Sequence, residues 1–238
     1  MTFGVIRKGF DFIFPGGYNG EVNEPGFPAS AWCRIDYLQG EKRMKTSLTK
    51  AAAAGILICM GCIVNLKAGG GIPGAVLFGA GLWFVVNFDA ELFTGRVTRE
   101  QYDPLQKGIM LLMNVIGAGI CGILASFFLP EIREAAQGIA AACQDPLKVA
   151  WQSIMCGICM YLATTPPPGR DISRLPFVIY GVALFILSGY AHSVALAGYA
   201  AIARGIAWWV IPLAAAGTGA GSYLMKWLLT GKLIRKDS

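Results

Sequence analysis

Six stretches of this sequence contain no Asp, Glu, Lys or Arg: 51–66, 68–88, 108–130, 149–169, 175–203 and 205–225. All but the first reach the roughly 20 residues that a helix needs to cross about 30 Å of hydrocarbon. The first borrows Thr49 and Lys50, with the Lys50 side chain reaching back to the interface. A chain divided in this way is expected to be an all-α membrane protein with six transmembrane helices. Its composition, 55% hydrophobic and 14% charged, lies outside the usual soluble mixture.

The basic residues predict the orientation. With both termini cytoplasmic, sixteen Lys and Arg fall inside and four (Lys67, Arg133, Lys148, Arg204) outside. The positive-inside rule therefore favours a multi-pass plasma or inner membrane protein with its N- and C-termini in the cytoplasm. The net charge of +6 reflects topology and attraction to anionic lipid, and needs no nucleic acid. The first 17 residues hold no apolar run followed by a small-residue cleavage site, so no removable signal is expected.

Two Cys-x-x-Cys pairs, Cys59/Cys62 and Cys156/Cys159, lie in the middle of apolar runs. Four thiolates there would be costly to desolvate, so the pairs read as packing residues rather than a metal or redox centre. They also echo one another at an offset of 97. At an offset of 98, "NFDAELFTG" (87–95) falls on "FILSGYAHS" (185–193), which sets Thr94 against His192. Three spans followed by three similar spans imply an inverted repeat, because an odd number per half turns the second copy over. In such folds the second span of each half is often broken, and the freed backbone groups line an enclosed path. "VVNFDAELFTGRVT" suits such a break, with Gly95 expected to supply an unusual backbone angle and Glu91 to accept hydrogen bonds from loop N–H groups. The small residues of "GAGLW" (79–83) and "GAGSY" (219–223) are expected to permit close helix packing.

His192 is the single histidine, at the centre of a 29-residue uncharged run. An ionisable group so placed reads as functional. No P-loop, nucleotide fingerprint or zinc-binding arrangement accompanies it, so no cofactor, no metal site and no enzymatic role are expected.

Together these residues resemble the formate/nitrite transporter family. "AELFTG" (90–95) is similar to the loop that breaks the family's second helix, and "SGYAHS" (188–193) to the loop that breaks its fifth. "AAAAGILI" (51–58), "NVIGAG" (114–119) and "SIMCGICMYLA" (153–163) resemble its first, third and fourth helices. The resemblance implies an aquaporin-like protomer, a homopentamer, and one path per protomer for a small monovalent weak-acid anion, formate or nitrite foremost. It implies that His192 is the pore histidine and Thr94 its partner from the opposite loop. Leu92, Phe93, Phe78, Leu82 and Phe185, with Met160, would form the apolar constrictions. Family members commonly carry two Asn and a Lys which, aligned without gaps, fall here on Gly157, Leu196 and Ala141; Lys148, two helical turns beyond Ala141, is a candidate to replace the Lys in attracting anions.

Moving a bare monovalent anion through apolar constrictions costs on the order of 20 kcal/mol in the idealised limit. Passing the conjugate acid avoids most of that, so basic residues and loop N–H groups are expected to attract the anion and His192 to supply or relay a proton, with Thr94 orienting the ring or hydrogen-bonding the solute. An aquaporin-like neutral-solute channel and a non-transporting relative are the competing readings. Residues 1–46 are expected to form a cytoplasmic or interfacial segment with Trp32, Ile35 and Leu38 on one helical face. The channel domain would then span 47–230, followed by a cytoplasmic tail at 231–238.

Overall fold

The computed structural model describes residues 46–165 and 173–231. The interfacial helix expected around Trp32, Ile35 and Leu38 lies outside the described residues, as does all but the first residue of the tail.

Helix starts follow local chemistry. The Ser47 hydroxyl accepts from Lys50 N and opens α1 (Leu48–Lys67). Helix α2 (Gly71–Asn87) follows after a short glycine-rich turn, and α3 (Phe93–Arg96) is a single turn. Asp103 caps α4 (Pro104–Phe128) in a reciprocal capping box with Gln106, while Pro104 occupies a position that needs no N–H donor. A 3-10 turn (Pro130–Ile132) leads into α5 (Arg133–Ala141). Asp145 and Pro146 repeat the Asp-Pro start at α6 (Pro146–Thr164), and Ser173 caps α7 (Arg174–Leu187). His192 caps α8 (Ser193–Ala203), and α9 (Val210–Thr230) ends on left-handed Gly231.

Helices α1, α4 and α6 are each long and apolar enough to cross a membrane, and α9 matches them in length. The pairs α2–α3 and α7–α8 are interrupted spans, so the described residues form four continuous and two broken segments. Apolar side chains on α4, including Leu112, Ile116, Ile120, Leu124 and Phe127, face outward. Such a surface belongs in lipid or against another copy of the chain.

The two halves repeat several backbone contacts. Ala90 N donates to Val85 O, and Tyr190 N to Phe185 O, a shift of 100. Before the break, a Cβ on Gly81 would meet Leu57 O and Gly61, and one on Gly181 would meet Cys159 O and Ala163. The first spans are thus related by 102 while the second spans keep 100. Thr164 Oγ1 donates to Gly95 O and Cys62 Sγ to Ala195 O, which repeats the same two offsets from the other side. In the third spans, Gly117 packs on Ala52 O and Gly221 on Ile154 O, a shift of 104. Each half contributes three crossings, so the second copy is inverted relative to the first.

This register corrects the one expected from sequence. The offset of 98 set Thr94 against His192, whereas the turn geometry makes Leu92 the counterpart of His192 and Ser193 that of Phe93. The cysteine pairs are not equivalent either: with a shift of 102, Cys62 corresponds to Thr164. Gly95 is also corrected. Its backbone is ordinary helix, and the left-handed residue of the first break is Asp89 at φ 50°. Gly95 matters for another reason, since a Cβ there would lie 3.0 Å from Thr164 Cγ2. In the second break Gly189, at φ 67°, takes the position that Asp89 occupies in the first.

Candidate functional site

The two interruptions meet. Residues 88–92 leave α2 and deliver Thr94 on α3, and residues 188–192 leave α7 and deliver His192 at the start of α8. Thr94 Oγ1 and His192 Nε2 lie 2.9 Å apart, and the residues are 1% and 2% exposed. Ala195 N donates to His192 Nδ1 at 3.0 Å, closing the first turn of α8. A ring nitrogen that accepts an amide hydrogen carries none itself, so the neutral imidazole is the Nε2–H tautomer. Nε2 therefore donates to Thr94 Oγ1, and the threonine hydroxyl keeps its own hydrogen for another acceptor. As the amide end of an 11-residue helix, the start of α8 adds a positive electrostatic environment.

Apolar side chains surround the pair. The Phe185 ring stacks on His192, centroids 5.3 Å apart and planes 19° from parallel, and Phe78 meets Phe185 edge-on at 5.6 Å. Phe78, Leu82, Leu92, Met160 and Phe185 share one buried cluster. Phe93 is not brought to that group. Its N–H donates to Asn114 Oδ1, and its side chain packs instead with Ala51, Met110 and Ala215.

Asn114, at the start of the stretch "NVIGAG", has a structural role that the motif alone does not signal. Its Oδ1 accepts from Phe93 N at 2.8 Å, and its Nδ2 donates to Ala51 O at 2.7 Å and to Glu91 O at 2.8 Å. One buried amide thus ties the first break to α1 and α4. Glu91 has a role different in detail from the one expected. Its carboxylate accepts not from the loop but from Ser47 N at 2.9 Å, and it lies 3.9 Å from Arg96 Nη1. Arg96 also donates to Asp89 and to the Tyr102 hydroxyl, and Asp89 pairs with Lys50 as well.

Beyond Leu92 a cavity of about 310 Å³ opens, lined by Asp89, Gly95, Thr98, Tyr161 and Thr164 together with Arg96, Arg99, Arg174 and Lys226. The sequence assigns basic residues as a class to topology and to attracting the anion, and does not single out these four. They are scattered over four segments, and only folding brings them together.

Lys148 is far from these groups in character: it is exposed in the first turn of α6, and its charge reaches buried Cys143, whose thiol burial raises and Lys148 partly lowers. Gly157 cannot stand in for a pore-facing Asn. A Cβ there would lie 2.1 Å from Thr218 O, because this face of α6 packs on α9. Leu196 is buried against Val149, Ala191 and Val210, and Ala141 is exposed at the end of α5.

Two broken spans converging on a buried hydroxyl–imidazole pair invite comparison with solved structures. One, described as an FNT family ion channel, superposes with a TM-score of 0.63 at 18% identity, covering 84% of this chain and 95% of that one. Another, a pentameric formate channel with formate bound, superposes at 0.57 and 18% identity over 86% of this chain and 100% of that one. The chain has the FNT channel fold. No protein-family model and no curated protein matches the sequence. The FNT channel fold is thus carried here by a sequence only 18% identical to those structures, and the all-α membrane architecture agrees with the six uncharged runs.

Proposed function

We propose that this chain passes a small monovalent weak-acid anion, or its conjugate acid, across a membrane, with formate or nitrite the leading candidates. The observation that supports it most directly is the Thr94–His192 hydrogen bond, buried among Phe78, Leu82, Leu92 and Phe185 where two interrupted spans converge. The solved structure named as a pentameric formate channel supports both the substrate class and a homopentamer. The exposed apolar face of α4 suits a neighbouring protomer. The face on which α1 begins, with the Arg-lined cavity, is taken as cytoplasmic, following the distribution of Lys and Arg.

The tautomer shapes the chemistry. Thr94 receives a hydrogen bond from Nε2 and presents its own hydrogen to a passing carboxylate, so the ring strengthens the hydroxyl as a donor. Proton delivery starts from the doubly protonated ring: a proton taken from water at Nδ1, which must first release Ala195 N, lets Nε2 pass its hydrogen to Oγ1 and Oγ1 pass its own to the anion, leaving a neutral imidazole, so delivery is coupled to the first turn of α8. Once the solute is neutral, the apolar flanks no longer oppose it.

Proteoliposomes test the reading. Uptake of formate should rise as external pH falls, and His192→Asn, which keeps a side chain able to cap α8, should flatten that dependence. Parent protein that passes water or glycerol but no weak acid would move the assignment to a neutral-solute channel.

A further inference from the structure

Ser193 follows the ring directly, yet its hydroxyl takes no part in the Thr94–His192 arrangement. The residue is fully buried, and among the described residues its Oγ has no hydrogen-bond partner. A buried hydroxyl without a partner is a net cost that alanine would remove. Ser193 stands at the first helical position of α8, whose N-cap is His192. Serine itself ranks with the preferred N-cap residues, whereas the imidazole caps only while Nδ1 is unprotonated.

The second break is also held differently from the first. By the shifts of 100 and 104, Phe93 and Asn114 correspond to Ser193 and Thr218. Asn114 ties the first break to α1 and α4 with three bonds, but the Thr218 hydroxyl is used inside α9, on Ala214 O. Asp89 and Glu91, which bond Arg96 and Ser47 N, become Gly189 and Ala191. Cys62 Sγ, which donates to Ala195 O at 3.6 Å, steadies the start of α8 from α1 and leaves the Ala195 N–H able to change acceptor.

From these observations, and resting on the proton-transfer reading above, we infer that Ser193 is a positioning residue that takes over the cap of α8 when the ring gains its second proton. Protonation at Nδ1 turns an acceptor into a donor and strands Ala195 N in a buried site. Ser193 supplies the replacement. Its backbone leaves the helix, α8 begins at Val194, and the hydroxyl accepts from Ala195 N or Leu196 N, the second and third amides of the shortened helix. Leu196 N releases His192 O in that step. When the ring is neutral again, Nδ1 recovers Ala195 N. Only hydrogen bonds change, and the proton itself still passes by way of Nε2 and Thr94.

The titratable groups around this turn are the thiols of Cys62 and Cys59 from α1, Cys121 beyond them on α4, Cys143 ahead of α6, Tyr199 on α8 itself, and Arg96 on α3, which is paired with Asp89 and Glu91. From α5 and α9 the contacts are apolar, Ile139 and Val210. A pH response that belongs to any of these groups survives loss of the imidazole.

The test is the pH profile of formate uptake in proteoliposomes, read beside the thermal midpoint in detergent near neutral pH. Ser193→Ala should displace the acid-side rise in uptake by about one unit to lower pH, the size expected when one buried amide loses its acceptor in the protonated state alone. Its midpoint should not fall, because the hydroxyl bonds nothing while the ring is neutral. Ser193→Thr, which keeps a capping hydroxyl, should keep the parent profile, and in a His192→Asn background Ser193→Ala should move nothing further. A Ser193→Ala profile that coincides with the parent's, a displacement shared by Ser193→Thr, or one that persists without the imidazole would overturn the cap exchange and leave the path intact. A parent with no weak-acid uptake, or with uptake indifferent to pH, would overturn the proton-transfer reading, and the exchange with it.

Discussion

Thr94 and His192 meet side chain to side chain at 2.9 Å although 98 residues separate them, and neither touches solvent appreciably. Replacing Thr94 by Val keeps the shape but leaves the Nε2–H without an acceptor, at about 1–3 kcal/mol for a buried donor. If the hydroxyl contacts the passing solute, Thr94→Val should slow formate uptake by roughly tenfold, which corresponds to about 1.4 kcal/mol of barrier. Thr94→Ser, which retains the hydroxyl, should stay close to the parent. Equal uptake by the Val variant and the parent would remove this pair from the path.

Asn114 satisfies three backbone groups with one side chain. Asn114→Ala strands Phe93 N, Ala51 O and Glu91 O in a buried setting, at about 1–3 kcal/mol per group. Asn114→Asp keeps the acceptor for Phe93 N but turns a second oxygen toward two carbonyls, and is expected to be at least as damaging. Thermal midpoints in detergent should fall for both variants. A midpoint unchanged in Asn114→Ala would show that the first break holds its shape without this anchor.

The breaks were legible in the sequence because carboxylates at the end of one apolar run and a lone histidine inside another conflict with plain lipid-facing helices. What the carboxylates contact was not. Glu91 reaches Ser47, 44 positions away, and no periodicity signals such a contact. The repeat was visible but out of register, since residue types were matched without gaps. Between the first and second spans the second half is two residues shorter, and after the break it is four residues longer. Type matching therefore aligned Thr94 with His192, which do meet, though as partners across the junction rather than as equivalents. Asp89 defeated the expectation about glycine, because its left-handed backbone is held by Arg96, which bonds both its carboxylate and its carbonyl oxygen.

Gly157 offers a test of packing in the second half. A Cβ on it would lie 2.1 Å from Thr218 O and 2.8 Å from Ser222 N, and Ser222 Oγ donates to Gly157 O at 2.9 Å. Gly157→Ala forces α6 and α9 apart, an overpacking expected to cost about 1–3 kcal/mol or more. Gly119 on α4 is the control, because a Cβ there meets nothing within 4 Å. Gly119→Ala should be neutral or mildly stabilising, given alanine's advantage of about 1 kcal/mol in a helix. Comparison of the two midpoints, with size-exclusion profiles to follow assembly, separates packing from propensity. Equal midpoints would contradict the close approach of α6 and α9.

Arg96 and Glu91 are both buried, their side chains 6% and 4% exposed, and Glu91 accepts from Ser47 N in addition to facing Arg96. Removing the cation alone strands a buried carboxylate, and breaking such a pair typically costs about 3–5 kcal/mol. Arg96→Met should therefore lower the thermal midpoint more than Glu91→Gln, whose amide oxygen still accepts from Ser47 N. The double variant should be less damaged than Arg96→Met, because the neutral amide needs no counter-charge. That ordering identifies charge compensation as the reason for the pair. If the two single losses simply add in the double variant, the buried carboxylate is not the group that Arg96 neutralises, and Asp89 becomes its principal partner.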